Sequence, residues 1–201
     1  MRAEFMTSAA SAAGFPRSTR PEIAFLGRSN AGKSSLLNRI ATARIARTSK
    51  TPGRTQTINF FEVTAKDLVF VLADLPGYGY AKAPIPLRQA WYGLIESYLS
   101  SRIPLAAVLL LFDVRREVSE EDREIQRWLI EASGSRPQVL IVGTKCDKIP
   151  KARRKPTADR LAEAFGAPRE SVILTSADSG EGVEALRGAI SAIAGDSSLR
   201  A

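Results

Sequence analysis

The chain contains no histidine and only one cysteine, Cys146. Without histidine, Ser-His-Asp and Cys-His nucleophilic machinery is excluded, as is any His-ligated zinc site. One cysteine cannot close a disulfide within the chain, which fits a reducing compartment and predicts a cytoplasmic location. Long apolar runs are also missing. The longest candidate, 105–112, has the length of a buried strand and falls well short of the roughly 20 residues a membrane-spanning helix needs, so no membrane association is expected. No apolar core follows Met1-Arg2-Ala3-Glu4-Phe5-Met6, which argues against a secretory signal. Met6 leaves open whether the first five residues belong to the natural chain. A further absence is local: no acidic residue lies between Glu22 and Glu62, yet Arg28, Lys33, Arg39, Arg44, Arg47, Lys50 and Arg54 all fall there.

What is present is ordinary for a globular protein. A chain of 201 residues, 44% hydrophobic and 25% charged, is long enough for one domain with a substantial core. The net charge of +8 is lopsided: residues 1–100 hold 13 lysines and arginines against 6 acids, residues 101–201 hold 16 against 15.

Residues 27–34 read Gly-Arg-Ser-Asn-Ala-Gly-Lys-Ser, directly after the apolar Ile23-Ala24-Phe25-Leu26. This is the GxxxxGKS pattern between a strand and a helix, the context that separates a phosphate loop from a glycine-rich helix cap. Gly27 and Gly32 let the backbone curl so that the amides of Arg28, Ser29, Asn30 and Ala31 turn towards phosphate oxygens. Lys33 supplies a point charge to the outer phosphates, the Ser34 hydroxyl is placed to ligate Mg²⁺, and Ser35 follows in the helix. A helix over 32–41 aims its positive end at the same anion. The pattern predicts a bound nucleoside triphosphate. Seven cations without an acid exceed what one nucleotide needs. The surplus points to a polyanion such as RNA, or else to a solvated basic face.

From residue 22 onward strands and helices alternate, which predicts an α/β fold with a mainly parallel sheet and helices on both faces. Six strands are expected, near 22–27, 57–65, 67–74, 105–113, 138–144 and 171–175. The second and third are joined by a short turn at Lys66, so one strand runs antiparallel. Residues 1–20 read as a flexible lead-in and 21–201 as a single domain. Leu87, Trp91, Leu94, Ile95, Tyr98 and Leu99 mark one face of a helix over 86–101. Trp91 and Tyr98 read as core rather than as a base-stacking platform. Ser119-Glu120-Glu121-Asp122 opens the next helix, with Ile125, Trp128 and Leu129 as its stripe, and Gly134 ends it. Val183, Leu186, Ile190 and Ile193 mark the last, over 182–194.

The base is selected by Thr144-Lys145-Cys146-Asp147. A carboxylate at Asp147 accepts two hydrogen bonds at once, and guanine offers N1–H and its exocyclic amine side by side. Adenine lacks that pair, so such a site rejects it. The Lys145 stem is suited to lie along the base, and Thr175-Ser176-Ala177 matches a segment that closes over the guanine oxygen. Asp74-Leu75-Pro76-Gly77 ends a strand. There Asp74 can reach Mg²⁺ through water, and Gly77 can offer an N–H to the γ-phosphate. That loop is then held only while the phosphate is present, which makes a switch. Between the first helix and the second strand lies Thr51-Pro52-Gly53-Arg54-Thr55-Gln56-Thr57. A threonine from it completes the Mg²⁺ shell: Thr55 first, Thr57 or Thr51 as substitutes.

GRSNAGKSS, TPGRTQTINFF, DLPGYGYAKA, TKCDK and TSA, in this order and spacing, resemble the EngB family of the TrmE–Era–EngA–EngB–septin group of GTPases. The likeness extends over about residues 15–195. It implies a Ras-like GTPase domain, Mg²⁺ dependence, and a role in assembling the large ribosomal subunit, with rRNA and ribosomal proteins as partners. It also implies a need for the protein in normal growth and cell division. Nothing demands more than a monomer.

Turnover requires an oriented water and neutralised charge. Lys33, Gly77, Thr55 and Asn30 are the candidate catalytic residues. In Ras-type enzymes a glutamine directly after the DxxG glycine orients the water, and here Tyr78 holds that place. Unassisted hydrolysis on the order of 10⁻⁴ s⁻¹ is therefore expected. Asn30 stands where relatives in this group hold K⁺ beside the phosphates; alternatively it only supports the turn. Rival readings are a nucleotide-gated RNA-binding module in which hydrolysis is a reset, an ATPase, and an Era- or TrmE-type protein, for whose extra domain the chain has no room. Lys145, Lys148, Lys151, Arg153, Arg154 and Lys155 form a second candidate patch, or a solvated loop.

Overall fold

The protein is described here by a computed structural model covering residues 1–42, 45, 57–79, 84–134 and 137–196. Its strands are β1 (Arg2–Ala9), β2 (Glu22–Gly27), β3 (Ile58–Ala65), β4 (Leu68–Asp74), β5 (Leu105–Asp113), β6 (Gln138–Thr144) and β7 (Val172–Leu174). Its helices are α1 (Lys33–Ala41), α2 (Ile85–Ser101), α3 (Glu120–Ser133), α4 (Lys151–Ala164) and α5 (Val183–Gly195). The strands form one sheet in the order β1-β3-β4-β2-β5-β6-β7. Only β3 runs against its neighbours, antiparallel to both β1 and β4.

The central strands are apolar on both faces because both faces are covered. Every residue of β2 and of β5 is buried. Alternation then divides them: Ala24, Leu26, Val108 and Leu110 pack with α2, α3 and α4, while Ile23, Phe25, Leu109 and Leu111 pack with α1 and α5. α3 opens on a capping box in which the Ser119 hydroxyl accepts from Asp122 N–H and Asp122 reaches back to Ser119 N–H, satisfying two helix-end donors reciprocally. Tyr98 is buried as expected and donates to Glu22, which Arg102 also engages. Among the described residues no helix is long and apolar enough to cross a membrane.

Two expectations are corrected. Residues 1–20 are not a loose lead-in: Arg2–Ala9 pairs with 58–64 of β3, making seven strands rather than six. The segment lacks a clean alternation because an edge strand buries little, here only Ala9. A shift of register between Phe5 and Thr7 further breaks the period. The basic run after Pro150 is not a loop either but α4, whose buried residues are Ala158, Leu161 and Ala162.

The chain passes from β2 to the β3–β4 side of the sheet, then returns to β5 on the other side. In open α/β sheets the crevice at such a reversal, outside the carboxyl ends of the strands, is where ligands bind. All the motif residues described in this structure except Thr57 lie at or just beyond the carboxyl ends of β2, β4, β6 and β7, on the strand ends, the loops that leave them and the first turn of α1.

Candidate nucleotide site

The loop after β2 is shaped by conformation and by lack of space. Asn30 and Gly32 have φ of 65° and 90°, a left-handed region that glycine enters freely and asparagine tolerates. A Cβ on Gly27 would stand 2.9 Å from Leu111, so the loop must begin with glycine. Ala31 N–H donates to Arg28 O at 2.9 Å, and the first bond of α1 runs from Leu36 N–H to Gly32 O. The amides of Lys33, Ser34 and Ser35 precede that bond, in the part of a helix that has no internal acceptors. No side chain among the described residues caps them. Lys33 Nζ is paired with Asp74 Oδ1, both largely buried.

The loop after β4 runs alongside the first. Leu75 N–H donates to Phe25 O, Tyr78 N–H to Gly27 O, and Ser29 N–H to Tyr78 O at 2.9 Å. A Cβ on Gly77 would lie 3.0 Å from Gly27 O and 3.4 Å from Ser29 N, so a side chain here would press the two loops apart by a few tenths of an ångström. Pro76 O accepts from Trp91 Nε1 at 2.9 Å, tying the loop to α2. The Tyr78 ring is 3% exposed and its hydroxyl donates to Asp122 Oδ1 at 3.0 Å. Burial, then the Asp122 charge, pushes that phenol far above its ordinary range. Arg28 crosses Gly79 to reach Glu121 at 2.7 Å, so the start of α3 is bonded to both loops.

The predicted base loop is clipped to the phosphate loop by two side chains. Thr144 Oγ1 donates to Ala31 O at 2.6 Å, and Lys145 Nζ donates to Asn30 O at 2.8 Å. Cys146 is buried, its N–H on Thr175 O. Asp147 accepts from Lys148 at 2.8 Å; that bond, then one from Ser176, holds its carboxyl below the usual range. Thr175 and Ser176 are buried, and Ala177 follows them half-buried. Gly53, Arg54, Thr55 and Gln56, with the alternative Thr51, lie outside the described residues. Thr57 is half-buried and directly precedes β3, whose Asn59 lies opposite Asp74.

Four partners escaped the motif reading: Asp113, Arg115, Glu121 and Asp122. The signal for Asp113 was an acid closing an otherwise apolar strand. The cap at Asp122 was legible; its bond to Tyr78 was not.

A family model described as a 50S ribosome-binding GTPase matches residues 22–145. A relative described as "Probable GTP-binding protein EngB" from Syntrophotalea carbinolica is 46% identical over 90% of this chain and 86% of its own. One of the same description from Geobacter metallireducens is 45% identical over the same shares. The chain belongs to the EngB family. It is accordingly a GTP-binding protein with GTPase activity. A crystal structure described as a probable GTP-binding protein EngB superposes with a TM-score of 0.66 at 26% identity, covering 86% of this chain and 98% of that one. The Ras-like P-loop GTPase architecture expected for an EngB protein is the one observed.

Proposed function

We propose that this EngB protein is a slow, Mg²⁺-dependent GTP switch acting in assembly of the large ribosomal subunit, in the cytoplasm and as a monomer. The observation that carries the reading is the joining of the base and phosphate loops through Thr144 and Lys145, which sets one ligand's two ends against one rigid frame. Asp147 selects guanine, Thr175-Ser176-Ala177 closes over its oxygen, and Lys33 with the amides of Lys33, Ser34 and Ser35 takes the phosphates, whereas the expected amides of Ser29 and Ala31 are bonded to Tyr78 O and Arg28 O.

The donor set also suits magnesium. Ser34, Asp74 and a threonine of 51–57 offer only hard oxygens, and Mg²⁺ keeps several waters while binding substrate phosphates with one or two protein groups. When bound, Mg²⁺ neutralises charge on the β- and γ-oxygens. Lys33 and Asp74 engage each other across the cleft; bound phosphate would offer Lys33 an alternative partner, and Asp74 would then be among the residues that hold the metal. Gly77 N–H would serve the γ-phosphate, and Thr55 is the residue that would complete the hold on the metal. Asn30 either holds K⁺ or shapes the turn through its positive φ. Turnover in KCl against NaCl at equal ionic strength separates the two, equal rates removing the ion.

Slow hydrolysis follows from Tyr78, whose hydroxyl is committed to Asp122 and cannot orient a water. The same fact favours a second reading, in which GTP-gated binding to rRNA is the output and hydrolysis only resets it. Co-sedimentation with large ribosomal subunits under a GTP analogue, GDP and no nucleotide is the test. Binding with the analogue alone, falling with added salt, is expected; state-independent binding or none sinks the assembly role. Single-round assembly under the analogue separates the two readings, because a reset-only role leaves the first round intact.

A further inference from the structure

At the end of apolar β5 stands Asp113, its side chain 7% exposed, on the wall of a cleft of about 360 Å³ that the phosphate loop and Lys145 also line. Its Oδ2 accepts from Lys145 Nζ at 2.8 Å and from Arg115 Nη2 at 2.7 Å. Its Oδ1 accepts from Arg115 Nε at 2.9 Å and Arg115 N–H at 3.1 Å. Lys145 Nζ donates to Asn30 O as well, and its backbone starts from a left-handed φ of 60°. The lysine is thus fixed at both ends, stretched between β5 and the phosphate loop. A free lysine side chain samples many rotamers, and a ligand that has to freeze it binds more weakly by that loss. Here the freezing is built into the fold. Arg115 bonds the same carboxylate through its backbone N–H, Nε and Nη2.

We propose that Asp113 is a positioning residue for nucleoside recognition: it holds the Lys145 stem extended along the phosphate loop, so that the stem is a ready floor for the base, and it thereby sets how long the nucleotide stays. The inference rests on the reading that the loop 144–147 takes guanine. It assigns a function to an acid outside the nucleotide motifs, acting through a lysine 32 residues away.

Release of a fluorescent GDP analogue from the full chain, followed by stopped flow, tests it. Asp113→Asn and Lys145→Ala should each speed release about tenfold, and the double variant should match Lys145→Ala alone, as for two residues acting through one interaction. Arg115→Ala should stay within about twofold of the unaltered protein, since the Asp113–Lys145 contact survives. Additive losses in the double variant, an unchanged rate for Asp113→Asn, or an Arg115→Ala effect equal to that of Asp113→Asn would each overturn the proposal. Should Asp113→Asn fail to fold, Lys145→Met keeps the stem and removes the head that Asp113 holds. Release as fast as for Lys145→Ala supports the hold, and release at the unaltered rate sinks it. Asp147→Asn, assayed with GDP and xanthosine diphosphate, guards the underlying reading. A swap of preference alongside additive Asp113 and Lys145 losses removes only this inference, whereas no swap removes the guanine loop itself.

Discussion

At the scale of single residues, the buried polar groups of the site are answered by partners, and among the described residues only Arg154 Nε is buried without one; the partner decides what a substitution does. Asp122 accepts from the Tyr78 hydroxyl, from Ser119 N–H at 3.0 Å and from Ser119 Oγ at 2.7 Å. Tyr78→Phe removes the first and keeps the ring. With the other two retained, the cost sits near the low end for a lost buried hydrogen bond, about 1 kcal/mol. Denaturant unfolding should show that loss, while single-turnover hydrolysis stays within about twofold because the phenol faces α3 rather than the phosphates. A tenfold drop would give Tyr78 a chemical role. Asp113 makes a pH-dependent contribution. Burial alone would raise its carboxyl; the bonds from Arg115, then Lys145, outweigh burial and hold it below its ordinary 3.8. A group depressed in the folded state contributes stability that is complete above its unfolded pKa and disappears as pH falls towards the folded one. The stability gap between the unaltered chain and Asp113→Asn should therefore be flat from about pH 7 to about pH 5 and narrow below about pH 4. A gap that widens with acid refutes the arrangement.

At the scale of elements, β1 shows what a periodicity cannot carry. Its ladder partners run from Thr64 opposite Arg2 to Ile58 opposite Ala9, far along the chain, with Ser8 Oγ donating to Asn59 Oδ1 at 2.6 Å beside them, and its exposed faces leave no alternating signature. Deleting residues 1–9 strips the outer edge of β3, losing the Phe5–Phe61 edge contact and the burial of Ala9. The cost should be on the order of 2 kcal/mol. The opened edge should also pair with another copy, so sedimentation velocity should show self-association rising with concentration. A monodisperse, equally stable truncation would make β1 an ornament. α4 was obscured for a different reason: four cations and Pro156 occupy its first six residues, and its buried face is two alanines and a leucine. By contrast β2, β5, α3 and α5 declare themselves, because buried strands are continuously apolar and amphipathic helices repeat. The site divides likewise. The residues expected to touch the nucleotide lie in spaced motifs along the chain, while Asp113 and Asp122 gain meaning only from Lys145 and Tyr78, brought near by folding.

At the scale of the whole molecule, the sheet's reversal gathers loops from β2, β4, β5, β6 and β7 at one edge, and side chains cross between them. A ligand bound there touches structure on both sides of β2, so its binding energy stabilises the fold as a unit. Anything that binds only the folded state adds RT ln(1 + [L]/Kd), which is about 2.7 kcal/mol at a hundredfold excess over Kd. For a chain of 201 residues, each kcal/mol raises Tm by about 2–4 °C, so GDP at that excess should raise it by about 5–11 °C. On the proposed reading Asp147 gives this shift its specificity, since a carboxylate can accept from two adjacent N–H donors at once. Replacing it with asparagine turns one acceptor into a donor, which matches xanthine's second carbonyl instead of guanine's amine. In Asp147→Asn the GDP shift should fall below about 2 °C and xanthosine diphosphate should restore it. Differential scanning fluorimetry with GDP, xanthosine diphosphate and ADP decides the matter in one experiment. An undiminished GDP shift in the variant would mean that the base is read elsewhere, and that the clips from Thr144 and Lys145 brace the phosphate loop without framing a guanine.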